Sequence, residues 1–207
     1  MAASVLLDAN AIAGAVARLG SQIEVDHPDG VVLVGVLKGA LLFTADLSRA
    51  VEHVPVEVDF MSISRFAPDS GRVKILQDLG TDIGDRDVVI VEDIVDTGLT
   101  LAYLTGQLAM RQPRSLSACS LLDRPGRRIV PQELRYRGFE LMDEFVLGYG
   151  LHVRDLYRNL PFVVVGDRED VSEAPDCYVR ELYPQRPGGA QRGGSVPRGT
   201  GARTEVQ

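Results

Sequence analysis

The chain has 207 residues, 45% of them hydrophobic and 25% charged, with a formal net charge of −7. That is long enough for one substantial core, and the acidic balance argues against a protein held to nucleic acid by counterion release. Cys119 and Cys177 stand alone with no CxxC spacing, so a zinc site or a disulfide framework is not expected, and neither a membrane span nor a secretory leader is readable in the sequence. A cytoplasmic location is expected.

From the N-terminus, DANAIAGAVARLGSQI places Ile12, Val16, Leu19 and Ile23 on one helical face, with Asp8 or Asn10 available as the cap. VVLVGV (31–36) reads as a buried strand, followed by a turn at Lys38-Gly39 and a helix through ALLFTADLSRAV. VPVEVDFMSIS (54–64) and RVKILQDL (72–79) alternate as strands do, and RFAPDSG between them predicts a hairpin with a projecting loop. Residues 87–91 predict a further buried strand, and the helix after it carries Leu101, Leu104 and Leu108 on one face and stops before Pro113. LSACSLLD (116–123) predicts a strand. Beyond it come short strands near 137–141 and 145–147, a helical turn near 153–158 and a last strand at 162–165. Strands alternating with helices predict an α/β fold, a mainly parallel twisted sheet flanked by helices. Residues 1–183 are expected to form one domain. Residues 184–207, rich in Gly, Pro and Arg, have the composition of a disordered tail.

The stretch VVIVEDIVDTGLTL, residues 88–101, is the most informative. An apolar strand runs into Glu92 and Asp93, and Asp96 follows before Thr97, Gly98, Leu99 and Thr100. In an open α/β sheet ligands bind beyond the carboxyl ends of the strands. A tight turn into a helix there offers free N–H groups and the positive end of the helix dipole to a phosphate. Carboxylates beside such a cradle accept from hydroxyls. A phosphate at one end and a vicinal diol at the other describe a ribose 5-phosphate. An aspartic-protease reading of Asp-Thr-Gly fails because a helix follows, and a calcium loop fails because Val95 interrupts the alternation of oxygen ligands. An ordinary capping loop explains Asp96 and Thr97 but not the two acids before them.

EDIVDTGLT resembles the phosphoribosyl-pyrophosphate motif of type I phosphoribosyltransferases, in the form found in their hypoxanthine-guanine branch. The similarity continues through VGVLKGALLF, VDFMSIS, VKILQDL, LLDRPGRR and RGFELMDEFVLGYGL with YRNLPF, over about residues 5–166. The resemblance implies that fold, with a small hood region and a projecting lid hairpin. It implies conversion of hypoxanthine or guanine plus phosphoribosyl pyrophosphate to IMP or GMP, in purine salvage. Glu92 and Asp93 would hold the ribose hydroxyls, directly or through Mg2+, and residues 96–100 would bind the 5-phosphate. Asp96 would also be the general base at the purine N7. Lys38-Gly39, after a cis peptide, and Arg158 would bind pyrophosphate. Arg124, Phe145 and Val146 would contact the purine. A homo-oligomer, dimer or tetramer, is implied, with small-molecule substrates and no membrane partner.

Three positions depart from the family pattern: Arg124 replaces a lysine, His152 replaces an aspartate on the magnesium side, and a shortened lid carries Arg65-Phe66. These leave two alternatives, a regulatory nucleotide-binding protein of the same fold or an enzyme for another base such as xanthine.

Overall fold

The computed structural model describes residues 2–64 and 73–183. The expected loop RFAPDSG and the tail 184–207 therefore lie outside the described residues. The elements are β1 (Ser4–Leu7), α1 (Ala9–Asp26), β2 (Val31–Val36), α2 (Leu41–Ala50), β3 (Val56–Ile63), β4 (Ile75–Gln77), β5 (Asp87–Val95), α3 (Leu99–Ala109), β6 (Ser115–Asp123), β7 (Tyr136–Glu140), β8 (Phe145–Leu147), β9 (Val163–Gly166), α4 (Arg168–Glu173) and α5 (Val179–Leu182), with a 3₁₀ turn at Pro125–Arg127.

The main sheet has the order β4-β3-β2-β5-β6-β7. All its strands run parallel except β4, which pairs antiparallel with β3. The chain winds outward from β2 to β3, crosses back to β5, and then winds the other way through β6 and β7. Strand order thus reverses between β2 and β5, the kind of switch point beyond whose carboxyl ends open α/β sheets bind ligands. A second, three-stranded antiparallel sheet, β1-β9-β8, forms a small hood from the two ends of the described chain.

β2 is buried along its whole length, and its alternating side chains feed two cores. Val31 and Leu33 join the apolar faces of α1 and α2, whereas Val32, Val34 and Val36 pack with Leu101, Leu104 and Leu108 of α3. The expected faces of α1 and α3 are the observed ones. Asp8 caps α1, its carboxylate accepting from the Ala11 N–H at 2.8 Å. Cys119 lies fully buried in the first core, where burial pushes its thiol pKa upward, while Cys177 is exposed.

Three expectations are corrected. The strand expected at 87–91 continues to Val95, because β6 runs alongside it and pairs Glu92 with Ser120 and Val95 with Asp123. Residues 153–158 form no helical turn: Val153 bridges Leu156, and Arg154 and Asp155 adopt φ of 45° and 64°. Finally, β4 keeps only the middle of the strand expected at 72–79.

At the amino end of the sheet, Asp26 and Asp87 sit at the edge of the core. Hydrogen bonds from Arg135 and Tyr136 hold the Asp26 pKa at about 2, and Arg114 and Ser115 do the same for Asp87. His27, buried between them, reaches the Tyr136 hydroxyl at 3.0 Å and Asp87 at 3.6 Å. Both carboxyls are depressed below their usual 3.8, so the stabilisation is complete above pH 4–5 and is lost as pH falls through about 2. With half-exposed arginine partners, each site contributes of order 1–2 kcal/mol. Thermal melts of Asp87→Asn and the parent chain should therefore differ clearly at pH 6 and converge near pH 2. A constant difference across that range would contradict this account.

Candidate active site

Two loops meet at the switch point. After β2, Leu37-Lys38 is a cis peptide, as the sequence resemblance implies, and Gly39 follows it. Along β5, Glu92 and Asp93 occupy the part of the strand that outruns β2, whose pairing with β5 reaches only Gly35–Val91. The carboxylates are therefore still on the strand, on the stretch that β2 leaves uncovered.

Gly39 lies directly against Asp93. A Cβ placed on Gly39 would sit 1.9 Å from Asp93 Oδ2, and one on Gly150 would sit 2.1 Å from the Gly39 carbonyl oxygen. Three segments thus converge: the Asp93 side chain fills the space over Gly39, and the Gly39 backbone fills the space over Gly150. Glu92 is buried, and desolvation together with the Asp93 charge raises its pKa well above the carboxylate range. Its Oε1 has no hydrogen-bond partner among the described residues. Burial also raises Asp93, to about 6, against the lowering effect of backbone N–H groups and of Arg158.

The loop 96–98 turns β5 into α3. Gly98 takes a left-handed conformation (φ 83°), and the space over its Cα is closed by the Val130 carbonyl oxygen, which would lie 2.4 Å from a Cβ. Any other residue would meet both barriers. Gly98, not Asp96, occupies the cap position of α3, which frees the Asp96 carboxylate from a capping role. Thr97 Oγ1 instead accepts weakly from the Leu99 N–H at 3.4 Å. The Thr97 carbonyl is drawn to the outside, accepting from Ile129 and Val130 N–H at 2.9 and 3.1 Å, and Arg128 Nη1 holds the Asp96 carbonyl at 2.7 Å. With these carbonyls tied outward, the N–H groups that open α3 face a hollow of about 210 Å³, lined by Glu92, Asp93, Asp96, Thr97, Gly98 and Thr100. A larger hollow of about 470 Å³ lies at the opposite end of the sheet, beside Pro55 and Arg86, at the amino ends of β2, β3 and β5.

Asp96 faces cations. Arg124 Nη1 stands 3.4 Å from its Oδ2 and Arg127 Nη1 3.8 Å. Arg124 is itself buried, and its other terminal nitrogen donates to the Glu144 carbonyl just before β8. Phe145 is half-buried beside it, with the Arg168 guanidinium carbon 5.4 Å above its ring, whereas the Val146 side chain is in the core. Only the backbone of Val146 is thus available to a ligand.

On the far side of Gly39, Lys38 Nζ lies 3.8 Å from Asp155, and Arg158 donates to Asp155 from Nε at 3.2 Å and Nη2 at 3.0 Å. His152 accepts at Nδ1 from the Asp155 N–H at 2.9 Å. The Asp155 carboxylate lies 3.9 Å from the same nitrogen.

Of the residues expected at the site, Glu92, Asp93, Asp96, Thr97, Gly98 and Thr100 line the hollow, Gly39 abuts Asp93, Lys38 and Arg158 meet at Asp155, and Arg124 faces Asp96 and reaches the carbonyl before Phe145. Arg127, Arg128, Asp155 and Arg168 were not expected. The two arginines follow each other within LLDRPGRR, but a doubled arginine in a loop gives no sign that it straps a turn thirty residues away.

The phosphoribosyl transferase domain family matches residues 2–154. A hypoxanthine-guanine phosphoribosyltransferase of Mycobacterium tuberculosis is 44% identical over 170 residues, covering 77% of this chain and 84% of its own length. The chain belongs to the type I phosphoribosyltransferases, in their hypoxanthine-guanine branch. A hypoxanthine phosphoribosyltransferase of Salmonella typhimurium is 47% identical over 154 residues, 72% of this chain and 86% of that one. Among solved structures, a hypoxanthine-guanine phosphoribosyltransferase from Bacillus anthracis superposes with TM-score 0.76 at 39% identity, covering 79% of this chain and 98% of the other. In this phosphoribosyltransferase the crevice at the β2–β5 switch is thus the place to look for chemistry.

Proposed function

We propose that the chain transfers the 5-phosphoribosyl group from phosphoribosyl pyrophosphate to hypoxanthine or guanine, releasing pyrophosphate and forming IMP or GMP, a purine salvage reaction. The observation that carries this reading is the contact of Gly39 with Asp93, which sets a cation-bearing loop, the buried Glu92, the half-buried Asp93 and an anion cradle around one small space.

The 5-phosphate takes the N–H groups and hydroxyls of Thr97, Gly98, Leu99 and Thr100. Glu92 and Asp93 accept from the ribose hydroxyls, and Lys38, Gly39 and Arg158 hold the pyrophosphate. Purine N9 bonds to the anomeric carbon as the pyrophosphate bond to that carbon breaks, and Asp96 accepts the proton leaving N7. Arg124 sits on the 6-oxo side, with Phe145 against the purine face and the Val146 backbone at its edge. Positive charge from Lys38 and Arg158 stabilises the leaving group while the carboxylates steady the electron-poor ribose.

The donor set suits magnesium. Glu92 and Asp93 are oxygen donors, desolvated, with one oxygen unpartnered, and a hard divalent cation would neutralise them. Bound there, Mg2+ would add charge to the pyrophosphate side. His152, a nitrogen donor, is a poor ligand for it. Residues 1–183 are assigned as the catalytic domain and the protein as a cytoplasmic homo-oligomer. Among the described residues no helix is long and apolar enough to cross a membrane.

A spectrophotometric assay with phosphoribosyl pyrophosphate and Mg2+, offering hypoxanthine, guanine, xanthine, adenine and uracil in turn, tests the proposal. Turnover of hypoxanthine or guanine is expected. Turnover of another base alone would move the assignment to that base, and turnover of none would remove the enzyme.

A further inference from the structure

The pyrophosphate end contains a carboxylate for which the reaction has no evident use. Asp155 sits on the bridged turn between Val153 and Leu156, in the left-handed region, and its carboxylate lies between Lys38 and Arg158. Three of the five N–H donors of Arg158 are engaged: Nε and Nη2 donate to Asp155 Oδ1 and Nη1 donates to the Gly150 carbonyl at 2.6 Å. Lys38 is 70% exposed, and Asp155 lies within ion-pair distance of it. Both cations assigned to the leaving group therefore already face a protein anion.

We infer that Asp155 is the resident counter-anion of the pyrophosphate site, and that it sets how tightly this chain holds pyrophosphate by competing for Lys38 and Arg158. The inference rests on the reading of this end as the pyrophosphate end. Its physical basis is simple. A fork of donors that receives one carboxylate oxygen would receive a phosphate oxygen equally well, and the two anions cannot occupy it together. Phosphate binding must break the contacts to Asp155 and leave that carboxylate beside a polyanion, at a cost in repulsion. The pairs are solvent-exposed, so the competition is moderate and screened by salt.

The informative variant is Asp155→Asn. Asparagine tolerates the left-handed backbone as aspartate does and still accepts from Arg158, so only the charge is removed. Calorimetric titration with inorganic pyrophosphate should show affinity tightened about three- to tenfold, with the gain shrinking as salt rises from 50 to 500 mM. The KM for phosphoribosyl pyrophosphate should fall in step. Asp155→Glu, which restores the charge, should lose the gain. Unchanged or weaker pyrophosphate binding in Asp155→Asn, with its melting temperature preserved, would overturn the inference and make Asp155 a support for Arg158. Because the titration needs no turnover, absence of base turnover in the parent chain would sink the salvage reading while leaving the comparison readable. If neither protein bound pyrophosphate, both readings would fall.

Discussion

Asp96→Asn should reduce turnover of hypoxanthine by roughly 10²-fold or more, the loss typical of a removed general base. Asparagine has the same shape and can still sit between Arg124 and Arg127, but it cannot take the N7 proton. The group is not a helix cap, its side chain is 37% exposed, and asparagine keeps an oxygen facing the buried Arg124. The expected signature is a fall in kcat and in kcat/KM together, with the KM for phosphoribosyl pyrophosphate and the melting temperature little changed. Steady-state kinetics at saturating phosphoribosyl pyrophosphate would measure it. Activity within about threefold of the parent would mean that the proton leaves by another route.

Gly39→Ala is the second large effect. The new methyl group would stand 1.9 Å from Asp93 Oδ2 and 2.4 Å from its Cγ, well inside contact distance. Asp93 cannot simply swing aside: its carboxylate is desolvated and held by the backbone N–H groups of Asp93 and Ile94. The loop bearing Lys38 must retreat from β5 instead. A displacement of about an ångström between groups that hold one substrate costs on the order of 10²-fold in kcat/KM, and the loss should fall on phosphoribosyl pyrophosphate rather than on the base. A parent-like kcat/KM for phosphoribosyl pyrophosphate would show that the two loops need not touch.

The elements that position this site were legible because their side-chain periods are strong. Ile12 to Ile23 and Leu101 to Leu108 repeat as helices must, and the unbroken apolar runs of β2 and β5 announce strands covered on both faces. What failed did so for identifiable reasons. Ending β5 at the first charged residue assumes that a strand stops where its core stops. Here pairing with β6 carries the backbone four residues further, and the acids gain their position from that overrun. The hood joins Ser4 to Val165, a pairing between the two ends of the described chain that no local pattern encodes, so β1 passed unread. The turn at 153–158 depends on left-handed Arg154 and Asp155, conformations that such residues rarely adopt and sequence does not announce. The candidate site was legible at its carboxylates, where the motif is dense. It was missed at Arg127, Arg128 and Asp155, whose roles exist only once distant loops have met.

The two cysteines offer a way to watch this molecule open. Cys119, on β6, is sealed in the core that α1 and α2 cover, with its thiolate disfavoured by burial, while Cys177 is exposed. A thiol reagent should therefore modify Cys177 at once and Cys119 only when the sheet itself comes apart. The second modification then becomes a clock for global unfolding, free of any engineered label. Magnesium and phosphoribosyl pyrophosphate, if they bind the folded chain at the β2–β5 crevice, should slow that clock in proportion to their occupancy.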